Sequence, residues 1–83
     1  MTNTQQSNNQ NNHPWRGIFF RGPEVVKTQK GRDIPEWSVY QGDDQGKPAG
    51  RVYQLRDHQR AETLAQAMSQ DRNLELINEA AAA

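Results

Sequence analysis

The residues of this 83-residue chain that could do chemistry are few and scattered. There is no cysteine, which removes thiol nucleophiles, disulfides and thiolate zinc sites together. A transition-metal site needs about three or four convergent ligands, and His13, His58 and dispersed carboxylates do not supply them. His58 reads as a solvated residue in the first turn of a helix. Ser7, Ser38 and Ser69, the only serines, lack the flanking glycines of a nucleophile elbow. The stretch Gly42-Asp43-Asp44-Gln45-Gly46-Lys47 has the outline of a phosphate-binding loop but one residue too few between its glycines. It also has Pro48 where Ser or Thr is required, and two carboxylates that repel phosphate. Asp43 and Asp44 read instead as turn formers, since a calcium site needs roughly six or more oxygen ligands at defined spacing. A core this small rarely supports the deep cleft that tunes paired carboxylates. The sequence therefore predicts a non-enzymatic protein with no cofactor, no metal and no small-molecule substrate.

What remains is binding chemistry. The formal charge is zero, but Pro14 to Arg56 carries eight basic residues against five acidic ones, while Asp57 to the end carries two against five. The molecule is expected to be dipolar. Aromatic rings lie among the cations of the first part (Trp15, Arg16, Arg21, Lys30, Arg32, Tyr40, Arg51), a combination that serves nucleic acid through phosphate contacts. A protein partner, or a second copy in a homodimer, needs no net charge. Outward-facing Tyr40 and a partly exposed Trp15 or Phe20 would then act as anchors. Because the acidic part cancels the basic one, a protein partner is the first expectation and nucleic acid the second. The candidate surface is Trp15, Arg16, Tyr40, Lys47, Arg51, Gln54 and Arg56.

The elements that must position these residues follow from periodicity. Met1 to His13 is Asn/Gln-rich with no apolar residue after Met1 and no acidic or basic charge, so it has nothing to bury against the entropy of ordering and is expected to be disordered. Residues 14 to 79 are read as one small domain, with Ala80 to Ala83 frayed. No secretory signal or membrane-length apolar run is present, which points to a soluble, cytoplasmic protein.

Ile18, Phe19 and Phe20 belong to a short strand bracketed by Gly17, Gly22 and Pro23, and Val25 and Val26 to a further extended run ending in a turn at Gly31. Pro35 excludes a helix and keeps Ile34 extended. Trp37 and Val39 alternate with Ser38 and Tyr40, and Arg51, Tyr53 and Leu55 alternate with Val52, Gln54 and Arg56. The register that makes one apolar face sets Trp37 and Val39 beside Tyr53 and Leu55, leaving Ser38, Gln54 and Arg56 on the other. The connection from Gly42 to Gly50 is too long for a two-residue turn and reads as an exposed, mobile loop.

Asp57 is placed to cap a helix over residues 58 to 72, whose apolar stripe is Ala61, Leu64, Ala65 and Met68, with Asn73 as its stop. A short strand over 74 to 78 would return the chain and bury Leu74 and Leu76. The fold class is α+β: a small antiparallel sheet of three or four strands with one helix packed on one face.

Residues 37 to 72, a hairpin followed by an acid-capped helix carrying "AETLAQAM", resemble the β-β-β-α modules with which tyrosine recombinases grip their arm-type DNA sites. The resemblance implies an isolated DNA-binding module or mobile-element regulator. Its sheet would enter the major groove through Ser38, Tyr40, Gln54 and Arg56, helped by Arg51 and Lys47.

Overall fold

A computed structural model of the protein describes residues 16–82. The expected disorder of residues 1 to 13, and the candidate Trp15, lie outside the described residues. The chain runs β1 (Gly17–Lys27), β2 (Asp33–Gly42), β3 (Pro48–Leu55), α1 (His58–Arg72) and β4 (Glu75–Ala80). These form one four-stranded sheet in the order β3-β2-β1-β4 with α1 packed across it. The α+β class and the single helix agree with the sequence reading.

The hairpin register is the one the alternation predicts: Trp37 pairs with Leu55, Ser38 with Gln54 and Val39 with Tyr53. The helix limits also agree. Asp57 Oδ2 accepts from the Arg60 amide at 2.9 Å, and Asn73 ends the helix in the left-handed region at φ 54°, a conformation Asn tolerates better than most residues. The stripe works as expected, with Ala61, Ala65 and Met68 buried beneath the helix. Small residues there let α1 lie close to Ile18, Phe20, Trp37 and Val39, and Tyr53, Leu55, Leu64, Leu74 and Leu76 close the margin. Each large side chain buried in this way contributes roughly 1.5 to 3 kcal/mol.

Four expectations are corrected. β1 is one long strand rather than a short one, because a bulge at the cis Gly22–Pro23 bond lets the chain pass without ending the strand. Pro23 has no N–H to offer a ladder, and a bulge is where a strand tolerates that loss. The sheet is mixed rather than antiparallel throughout: β4 joins parallel to β1, pairing Ile18 with Leu76 and Phe20 with Asn78. α1 carries the chain over β2 and β1 to reach that edge, as a crossover between parallel strands must. Ala80 and Ala81 are held rather than frayed, since the Ala81 amide donates to Gly22 O at 3.0 Å. Finally, His58 is half-buried rather than solvated, its ring 5.5 Å from Phe20 and 5.6 Å from Trp37.

The bulge divides β1 into two parts. From Gly17 to Gly22 it is flanked by β2 and β4. From Glu24 to Lys27 it pairs only with Asp33 to Glu36, past the ends of β3 and β4. This two-stranded ribbon closes through Thr28 to Arg32, where the Thr28 amide donates to Arg32 O and the Gly31 amide to Thr28 O. Gly31, at φ 80°, supplies the left-handed turn residue. Val25 on this ribbon is 71% exposed.

Candidate interaction surface

The register assigns two faces to the sheet. Ile18, Phe20, Trp37, Val39, Tyr53, Leu55 and Leu76 face the helix. Phe19, Arg21, Ser38, Tyr40, Val52, Gln54, Glu75, Ile77 and Glu79 lie on the face without it. This second face is not uniformly open. Phe19 and Tyr40 stack at 5.4 Å between ring centroids, 11° from parallel, and Tyr40 is only 4% exposed.

The segment after β2 folds back over them. The Tyr40 hydroxyl donates to Gly46 O at 2.9 Å. Asp43 Oδ1 accepts from the amides of Gln45 and Lys47, an arrangement typical of an aspartate shaping its own turn. Gly42 makes room, since a Cβ there would stand 2.6 Å from the Phe19 ring. Tyr40 thus lies on the face away from the helix, as the alternation predicts, but is buried there instead of standing exposed as an anchor, because the loop, itself exposed at Asp44, Gln45 and Lys47, packs over it.

The remaining candidates are spread along the sheet rather than gathered. Arg16 is exposed at the loop end, its amide donating to Gly42 O at 2.7 Å. Lys47 is exposed at the same end. Arg51 lies over the Tyr53 ring, 4.8 Å from its centroid. Gln54 at the far end of β3 and Arg56 just past it are exposed, roughly 23 and 30 Å from Lys47 at strand spacing. Phe20, the other proposed anchor, is fully buried.

The uncovered face has acidic neighbours that the sequence did not bring together. Glu24 sits directly opposite Glu36, and β4 adds Glu75 and Glu79 to the same side. Arg21 answers one of them, with Nε 2.6 Å from Glu79 Oε1, both side chains about half exposed. Its guanidinium also lies 5.4 Å from the Phe19 centroid. The hydrogen bond that Arg21 donates to Glu79 is the main cause holding the Arg21 pKa above its ordinary value; partial burial works against it, and Tyr40 adds to it. Arg56 approaches Glu36 at 3.8 Å.

The signal that could have found this arrangement is the run Ile18-Phe19-Phe20. Three consecutive apolar residues in a strand place a large side chain on each face, so something had to cover Phe19.

Among the described residues no group of three or more His, Cys, Asp or Glu side chains is placed to hold a metal ion, and no helix is long and apolar enough to cross a membrane. No family model, no curated protein and no solved structure matches the chain.

Proposed function

We propose that the protein is a non-enzymatic interaction module of the cytoplasm, and that it binds a partner protein or a second copy of itself by adding a strand to the outer edge of β3. The observation that carries this reading is the position of β3 at the end of the strand order with its second half unguarded. The first half contains Pro48 and Gly50, and Gly50 sits at φ 78°, features that discourage pairing. From Arg51 to Leu55 there is neither Pro nor Gly, and Arg51 is the single charged residue. Val52 is 37% exposed on one face, while Tyr53 and Leu55 stand half-buried at the core margin on the other. An added strand would extend both layers, with backbone hydrogen bonds giving affinity and alternate side chains giving selectivity. The other edge, β4, is six residues long and carries exposed Glu75 and Glu79, which guard it by charge.

With Tyr40 and Phe20 internal, face packing loses two of the three aromatic anchors that would drive it, the third, Trp15, lying outside the described residues. The recombinase-like route, DNA gripped by the sheet face, meets Glu24, Glu36, Glu75 and Glu79 on that face and is not adopted for it, although the β-β-β-α order is present.

Sedimentation across a concentration range, together with affinity capture, tests the reading. A dimer or stoichiometric partner that is lost with Val52→Glu supports the β3 edge. A strict monomer that captures nothing, or a complex indifferent to that substitution, overturns it.

A further inference from the structure

We infer that the protein carries a separate, sequence-independent site for the phosphate backbone of nucleic acid, built along the projecting ribbon and the start of α1. It does not depend on the β3 edge, and it gathers Lys30, Arg32 and Arg56, which the sequence pointed to, with Lys27 and Arg60, which it did not.

Two open hollows carry the inference. Lys27, Thr28, Gln29, Lys30, Arg32 and Arg56 line the first, at the ribbon tip. Gln54, Leu55, Arg56, Asp57 and Arg60 line the second, where β3 turns into α1. Arg56 lines both. Together they hold five cations.

The acids nearby engage two of the five, and Glu24, exposed opposite Glu36, makes no ion pair among the described residues. Asp33 pairs with Lys27 at 2.7 Å. Asp57 caps the helix through the Arg60 amide. The Glu36 side chain is 16% exposed and 3.8 Å from Arg56. Lys30 and Arg32 make no ion pair among the described residues. The ribbon extends past the sheet, so its tip can approach a long polymer without the body of the domain colliding first.

Both hollows are open and share Arg56, which suits an extended polyanion better than a compact ligand. Phosphate contacts carry no sequence information of their own, whereas single-strand binding uses exposed rings on which bases stack. Phe19, Phe20, Trp37 and Tyr40 are all buried, and Tyr53 is covered by Arg51. With no ring among the described residues open to a stacked base, the track is read as a grip on the backbone, and equal binding to duplexes of different sequence is what tests this. Each neutralised phosphate contributes a salt dependence of about −0.9 in log K against log salt, so contacts by the three cations without an ion pair, Lys30, Arg32 and Arg60, give a slope of roughly −2.7. Zero net charge over the whole chain weakens long-range attraction and confines binding to low salt.

The test is fluorescence anisotropy of a labelled 20-base-pair duplex with the full chain at about 20 mM salt, followed by a salt titration. Binding is expected, equal for duplexes of different sequence. The double variant Lys30→Gln/Arg32→Gln should weaken it about tenfold or more and flatten the slope by about 2. Lys47→Gln, at the opposite end of the sheet, should change neither. Both substituted tip residues are exposed, and an unchanged helical circular dichroism signal verifies the fold. Absence of duplex binding overturns the inference. So does an equal loss with Lys47→Gln, or binding through Lys30 and Arg32 to anionic vesicles or an acidic peptide but not to the duplex.

Discussion

The indole Nε1–H of Trp37 donates to the carbonyl of Ala81 at 2.9 Å, joining β2 to the residue just past β4 across the intervening β1. Gly22 permits it: a Cβ there would lie 2.9 Å from the Trp37 ring. Replacing Trp37 with Phe removes the donor and part of a buried ring. The expected cost is about 1 to 3 kcal/mol, with the loss of amide protection concentrated at Ala80 and Ala81. Hydrogen exchange by NMR checks this; unchanged protection at those two amides would contradict the clamp.

Tyr40→Phe keeps the stack on Phe19 and deletes only the hydroxyl bonded to Gly46 O. The domain should lose about 1 kcal/mol, a fall of roughly 4 to 8 °C in Tm for a domain of this size. Amides from Gly46 to Lys47 should exchange faster while those of β4 do not. Calorimetry with exchange on the same variant decides it.

Gly17 is where β1 meets β4 most closely. An added Cβ would collide with the Glu75 carbonyl oxygen and stand 3.0 Å from Ile77 Cδ1. Gly17→Ala should destabilise by about 1 to 3 kcal/mol, as overpacking does, and detach β4 before the hairpin. Gly31, in contrast, has nothing within 4 Å, so Gly31→Ala suffers only from its positive φ. Denaturant midpoints of the two variants should rank in that order.

The Arg21–Glu79 pair should respond to salt rather than to pH. Its guanidinium pKa is raised in the folded state, so its stabilisation is fully present below the ordinary arginine value and lost only as pH rises through the raised one. Across neutral pH that contribution is flat. With both side chains about half exposed, Glu79→Gln should cost under about 1 kcal/mol, and less at high salt. Urea unfolding at two ionic strengths measures it.

Much of this fold was legible because its signals are local. The helix stripe from Ala61 to Met68, its Asp57 cap and the Trp37-to-Leu55 register each follow from side-chain periodicity within one or two elements. The parallel partner of β4 was not legible, because Leu74 to Ile77 alternate identically whichever edge they join. Gly22-Pro23 read as punctuation and turned out to be a bulge, since both uses draw on the same backbone freedom. Among the candidate residues, the exposure of Arg16, Lys47, Arg51, Gln54 and Arg56 was readable from charge or polarity. The burial of Tyr40 was not, because its cover comes from a loop closing over its own strand, an event set by Gly42 and Gly46 rather than by alternation.

Because the first strand lies between the second and the last, a nascent chain leaving the ribosome can complete its hairpins while one side of Gly17 to Gly22 still lacks its partner. Those unpaired backbone groups, beside Ile18 and Phe20, are sealed only when Glu75 to Ala80 has emerged. Such distant pairing slows folding and leaves an adhesive margin in the interim. A chain stalled before Leu74 would thus be the species most in need of a chaperone.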